Sequence, residues 1–197
     1  DLFTPILKAI SEITGTQDAE GEIGVAYRVI ADHLRSLSFA IADGAIPSNE
    51  GRGYVLRRML RRATRFGRVL GTETPFIYKL VTTLAEVMGD AFPEIRQQQA
   101  HISRVIESEE ASFGNTLDRG LEIFEQMVAQ PATISQKKLS GEDAFKLYDT
   151  YGFPVDLTRL ICEERQLELD EAGFEVCMEA QRTKARESAR FQTAQIE

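Results

Sequence analysis

The sequence has only two cysteines, Cys162 and Cys177, and only two histidines, His33 and His101. So few sulfur and imidazole donors fit neither a disulfide framework nor a metal-ligand cluster, argue against a Cys–His zinc site, and suit a reducing cytosol. Long apolar runs are missing as well: a stretch such as Phe39-Ala40-Ile41-Ala42 is among the longest. The N-terminus shows no basic-then-apolar leader, so neither a membrane span nor a signal peptide is expected. There is no P-loop, and Gly51-Arg52-Gly53 lacks the following glycine and the preceding strand of a dinucleotide fingerprint. Internal repeats and low-complexity tracts are absent. What remains is a chain of 197 residues with 43% hydrophobic content. That is enough to bury an ordinary core, as one elongated domain or two small subdomains.

Base is scarce relative to acid, with a formal net charge of −8, but the deficit is uneven. Between Gly51 and Gly71 stand Arg52, Arg57, Arg58, Arg61, Arg62, Arg65 and Arg68 with no Asp or Glu. This segment carries about +7 and leaves about −15 on the remainder. A polyanion needs a local positive surface rather than a high overall pI, and an acidic body discourages unspecific attachment elsewhere.

The pattern predicts an all-α, multihelical fold with one long central helix and one Arg-rich amphipathic helix. Pro5 suits the first turn of a helix through about Thr14, with Phe3, Ile6, Leu7, Ile10 and Ile13 on one side and Gly15 at its end. A second runs from near Glu22 to Asp43 on Val25, Val29, Ile30, Leu34, Leu37 and Ile41, before Gly44 and Pro47 break it. In the third, RGYVLRRMLRRATRFGRVLG, six arginines (57, 58, 61, 62, 65 and 68) fall within an arc of roughly 140°, opposite Leu56, Met59, Leu60, Ala63, Phe66 and Leu70. Pro75 and Phe76 open another helical stretch through about Val87, closed by Gly89.

A long helix is expected from Pro93 to about Gln130. Its apolar positions Ile95, Val105/Ile106, Leu117 and Val128, interleaved with Ile102, Phe113 and Phe124, approximate an 11-residue period and hence a nearly straight seam. It would span roughly 55 Å unless Gly114 or Gly120 interrupts it. Pro131 to Ser140 reads as a polar connector in which residues 133–135 could be extended, with no pattern for a proper sheet. Gly141 to Tyr151 reads as a helix, GFP (Gly152–Pro154) as a stop and a new start, and Val155–Leu167 and Asp170–Ala194 as the last helices. The chain thus divides into an Arg-rich helical part (1–90), the long helix (93–130) and C-terminal helices (141–197).

The Arg face is either a solvated surface balanced by acidic neighbours or a ridge for phosphates. Like charges at i,i+4 cost a helix a few tenths of a kcal/mol per pair, so something anionic should compensate, and the planar guanidinium fork matches phosphate oxygens. The loop PSNEGRGY (Pro47–Tyr54) feeds this helix. Ser48 or Asn49 could be its N-cap, or its glycines could let backbone approach a ligand while Asn49 offers donor and acceptor to a base edge.

In LYDTYGFPVDLT (Leu147–Thr158), Asp149 sits at the negative end of a helix dipole, a placement costing roughly 0.3–1 kcal/mol. It is explained either by pairing across the GFP corner or by a function. Asp156 reads as a capping residue. No catalytic constellation is present. His33 and His101 lie far apart in helical stretches, and the cysteines look like small apolar residues.

The strings RVIADHLRSLSFAIADGAIPSNEGRGYVLRRMLRRATRFG (28–67) and AFKLYDTYGFPVDLT (144–158) closely resemble bacterial alanyl-tRNA synthetases in sequence, order and spacing. The flanking DLFTPILKAI and DEAGFEVCMEAQR resemble them too. The resemblance covers essentially the whole chain. It implies the helical tRNA-recognition region that follows the class II catalytic domain and reads the G·U wobble pair of the alanine tRNA acceptor stem. The family's identity-reading asparagine and aspartate fall on Asn49 and Asp149. A wobble leaves the guanine amine unpaired in the wide, shallow minor groove of RNA, where a carboxylate accepts from it and an amide meets the neighbouring base or ribose. The seven arginines would then position the stem through its phosphates.

No class II motif and no metal-binding editing signature is found in these residues. The resemblance therefore implies that ATP, magnesium and zinc belong to the parent's catalytic and editing domains, which are also this segment's partners. Neither catalysis nor a cofactor is expected here. The rival readings are a helical module that holds RNA or an acidic partner without a synthetase role, and a structural spacer whose arginines pair with its own acids.

Overall fold

The computed structural model describes residues 2–194, with side chains through Lys184. The described residues are mostly helical, with two strands of two residues each. The chain divides into two compact units, the boundary falling between Asn115 and Thr116.

In the first unit, helix α1 (Thr4–Thr14) starts with Pro5 in its first turn, where proline's missing N–H costs nothing. It ends at Gly15, which takes the left-handed conformation and donates its N–H to the Ser11 carbonyl. Helix α2 (Glu22–Ala42) packs on α3 (Gly51–Val69), while α1 packs on α2 and on α4 (Leu80–Met88). Ile6, Ile10, Tyr27, Ile30, Leu34, Leu37, Ile41 and Leu60 are fully buried, and each such aliphatic side chain contributes roughly 1.5–3 kcal/mol through water exclusion. Val25 departs from the predicted face. It is 42% exposed, and Ala26 and Tyr27 take the buried side at that turn, where the Tyr27 hydroxyl donates to the Thr16 carbonyl.

After α3, only Ile77–Lys79 form a 3-10 turn before α4, a shorter opening than the helix expected from Pro75. This turn is held by a residue the sequence reading passed over. Glu110 is 2% exposed and takes the backbone N–H of Phe76 at 3.0 Å and of Ile77 at 3.1 Å, one on each carboxylate oxygen. Burial drives its carboxyl up to about 7 against those hydrogen bonds and the nearby Arg68 charge.

The predicted helix 93–130 is two helices. Pro93–Gln97 (α5) ends at Gln98, whose φ of −103° and ψ of 9° leave the helical region, and α6 runs over Gln99–Val128. The side-chain amide of Gln98 donates to the Ala42 carbonyl at 2.8 Å, tying the break to the end of α2. The 30 residues of α6 span about 45 Å, and neither Gly114 nor Gly120 interrupts them. Burial of Ile102, Ile106, Phe113, Leu117 and Phe124 follows the 11-residue spacing.

In the second unit, Pro131–Gln136 is a helix (α7), contrary to the polar connector expected there. Lys138–Leu139 (β1) pairs in parallel with Glu168–Leu169 (β2). Helices α8 (Gly141–Asp149) and α9 (Val155–Glu164) form the crossover between them. Helix α9 stops at Glu164, short of the expected Leu167, and the second strand takes Glu168–Leu169, which periodicity leaves between two helices. The ladder is too short to show alternation.

Ser140 caps α8, its hydroxyl oxygen accepting the Asp143 N–H at 3.1 Å. At the GFP corner, Phe153 returns its N–H to the Leu147 carbonyl, and Pro154 is the N-cap of α9. Asp156 lies in the first turn of α9 but is not its capping residue. The fully buried Phe153 ring packs against α6 at Gly120, where a Cβ would come 2.0 Å from its Cδ2. Helix α10 (Glu171–Ala194) packs on α8.

Candidate nucleic-acid interface

Gly53 decides how the loop after α2 enters α3. A Cβ there would lie 2.1 Å from the Ser48 hydroxyl and 2.3 Å from the Ile46 carbonyl, so only glycine permits the loop to fold this close. The Ser48 N–H donates to the Gly53 carbonyl at 3.0 Å and its hydroxyl donates to the Glu50 carbonyl at 3.0 Å. The N-cap position is therefore Glu50, without a side-chain cap, and neither Ser48 nor Asn49 fills it. Pro47 is buried, and Asn49 is left exposed at the tip.

Helix α3 does carry its arginines as the sequence spaces them, but the helix turns part of that face inward. Arg65 is buried, its guanidinium 5.0 Å from the centre of the Phe66 ring. Arg57 binds Glu109 of α6 through two nitrogens, Nε at 2.8 Å from Oε1 and Nη2 donating to Oε2 at 3.0 Å. The Nε of Arg61 lies 3.5 Å from the same carboxylate, with its guanidinium 4.7 Å over the Phe113 ring. Arg68 is half-buried and donates to the Thr72 carbonyl at 2.7 Å. The exposed members are Arg52, Arg58 and Arg62. Part of the compensation for like charge along α3 comes from the protein's own Glu109.

The short hydrogen bond from Arg57 Nη1 to Asn49 Oδ1 joins the loop to this cluster. Beside the loop, Ile46, Pro47, Arg104, Val105, Ser108 and Glu109 line an open cleft of about 290 Å³. In the second unit, Asp149 is the last residue of α8, is exposed, and accepts a hydrogen bond from the side-chain amide of Gln181 on α10. Its carboxylate thus faces outward at the unfavourable end of a helix dipole.

No group of three His, Cys, Asp or Glu among the described residues is placed to hold a metal ion, and no helix there is long and apolar enough to cross a membrane. The thiol of Cys162 is buried and pushed up to about 11, which removes it as a nucleophile. His33 is pushed below its ordinary value by burial, with the Arg62 charge acting in the same direction and Asp32 against it.

A family model described as tRNA synthetases class II (A) matches residues 1–197. The chain belongs to this family. Among its relatives, the alanine–tRNA ligase of Chlorobium phaeobacteroides is 53% identical over 193 residues, covering 96% of this chain and 22% of the relative. That of Chlorobaculum tepidum is 54% identical over 189 residues, covering 94% and 21%. The chain therefore spans about a fifth of the length of these relatives. Within the family segment, the two residues singled out by resemblance are both at the surface. Three residues that hold the site escaped the sequence reading: Glu109, Glu110 and Gln181. Glu110 had left a signal, because it falls four positions after Ile106 and three before Phe113, on the apolar seam of α6. Glu109 and Gln181 had none, since each acts by meeting another helix.

Proposed function

We propose that this chain reads the acceptor stem of alanine tRNA at its G·U wobble pair, as part of a cytoplasmic alanine–tRNA ligase that joins alanine to tRNA at the expense of ATP. The observation that carries this reading is an exposed asparagine beside exposed arginines, on a chain more than half identical to ligases for alanine. Arg52, Arg58 and Arg62 meet phosphates and set the register of the stem. Asn49 and Asp149 supply base specificity, Asp149 accepting from the guanine amine that the wobble leaves unpaired. ATP, magnesium and zinc act in the parent's catalytic and editing domains, and this segment's partners are those domains and the tRNA. The engagement of Arg57 and Arg61 by Glu109 supports a structural role for those two, as the spacer reading would have for all seven.

Binding of an acceptor-stem hairpin tests the proposal. Affinity should fall linearly with log salt, and Arg58→Ala and Arg62→Ala should each reduce that slope by about one while weakening G·U and G·C hairpins alike. A hairpin that binds without salt dependence, or arginine variants that change selectivity at constant affinity, would remove the positioning role.

A further inference from the structure

We infer that Arg57 is a positioning residue that fixes Asn49 as an outward hydrogen-bond donor, and that Glu109 withholds Arg57 from the RNA; this rests on the stem-reading role proposed above. The guanidinium has five N–H donors and no acceptor. Whatever amide atom it touches must therefore be the oxygen, and Arg57 Nη1 touches Asn49 Oδ1. Both N–H bonds of the Asn49 amide are then turned away from the cluster, at an exposed loop tip. An asparagine in solution offers either end; this one offers its donor end only. Its target must be an acceptor, which in an RNA minor groove means the O2 of a pyrimidine, the N3 of a purine or a ribose 2′-oxygen. A guanine amine is excluded as its target.

Arg57 can hold this orientation because it is itself held. Its two contacts to Glu109 span both carboxylate oxygens, and its side chain is 21% exposed against 12% for Glu109. A guanidinium neutralised by such a fork has little left for a phosphate. Glu109 also meets Arg61, so one carboxylate from α6 anchors two consecutive turns of α3 beneath the loop. Arg57 belongs to the specificity apparatus, while Arg52, Arg58 and Arg62 belong to the electrostatic one.

The test compares G·U and G·C acceptor-stem hairpins binding to the full-length ligase that carries this chain. Asn49→Asp is the most telling variant: its carboxylate still accepts from Arg57 but has no donor to present. It should lower the G·U/G·C affinity ratio by about tenfold, as much as Asn49→Ala. Arg57→Lys should lower the ratio similarly in the wild-type background and have no further effect in Asn49→Ala. Arg57→Gln should leave the salt slope unchanged, because Arg57 meets no phosphate.

A ratio preserved in Asn49→Asp would overturn the donor assignment, and a slope reduced by one in Arg57→Gln would overturn the withholding by Glu109. If Asn49→Ala lowers the ratio and Arg57→Lys leaves it intact, the positioning role fails while the stem-reading role stands. If Asn49→Ala itself leaves the ratio intact, both fail. A folding defect in an Arg57 variant would weaken both hairpins equally and leave the ratio unchanged, so the ratio separates positioning from structure.

Discussion

Replacing Asp149 by asparagine, or Asn49 by alanine, in the full-length protein is expected to cut the proposed preference for G·U over G·C acceptor stems by roughly 10- to 100-fold for Asp149→Asn and about tenfold for Asn49→Ala. The difference follows from charge. A carboxylate accepting from the guanine amine makes a charge-assisted hydrogen bond, worth about 1.5–3 kcal/mol, whereas a neutral amide donor contributes at most about 1.5 kcal/mol. Asp149→Asn keeps the shape of the side chain at the end of α8 and relieves its unfavourable meeting with the helix dipole, so the variant should fold at least as well as the wild type. Loss of selectivity without loss of stability is the signature of a residue kept for recognition. Competition binding with the two hairpins measures it. An unchanged ratio in both variants would contradict the assignment.

Stability of the first unit is expected to fall as pH rises from about 5.5 to 8, by about 2 kcal/mol from Glu110 alone. Its carboxyl titrates at about 7 in the folded chain and at the ordinary value of 4.5 when unfolded. Between those values the folded state holds a proton that the unfolded state has released. The contribution is therefore fully present below about pH 4.5 and is lost as pH climbs through 7, the reverse of a salt-bridged acid.

His33 acts the other way, since its depressed value makes the unfolded chain the better proton acceptor near neutrality. The two are separated by Glu110→Gln, which removes only the first. Urea midpoints of wild type and variant at pH 5.5 and 8 give the difference, and amide exchange at Phe76 and Ile77 reports it locally, because those N–H groups end on Glu110. A wild type that gains stability over this range relative to Glu110→Gln would show that the carboxyl is charged in the fold.

Much of this molecule can be read in its sequence, and the reasons for the failures are physical. Helices whose apolar faces are set by periodicity, such as α1, α2 and α3, lie where spacing puts them. So does the 11-residue seam of α6, because Ile102, Phe113 and Phe124 repeat along one side whatever that side meets. Errors cluster where structure depends on a partner. The break at Gln98 is made by a hydrogen bond to Ala42, 56 positions away, and the β1–β2 pair is two residues long on each side. Neither leaves a local pattern.

The arginine face illustrates the same limit in the candidate site. Spacing places six guanidinium groups on one side of α3, but it does not say that Glu109 of α6 will take two of them or that Arg65 will be covered. Asn49 and Asp149 came from resemblance to a family, and the reason for Asn49's one-sided chemistry came only from the geometry around Arg57.

The proposed reading rests on a carboxylate that recognises one exocyclic amine, and inosine tests that atom alone. Inosine in place of guanosine keeps the wobble geometry and deletes the amine. Hairpins carrying G·U and I·U should differ by roughly 10- to 100-fold in affinity for the wild-type protein, and by clearly less for the Asp149→Asn variant, whose neutral amide oxygen accepts more weakly. Equal binding of G·U and I·U by the wild type would contradict amine recognition directly.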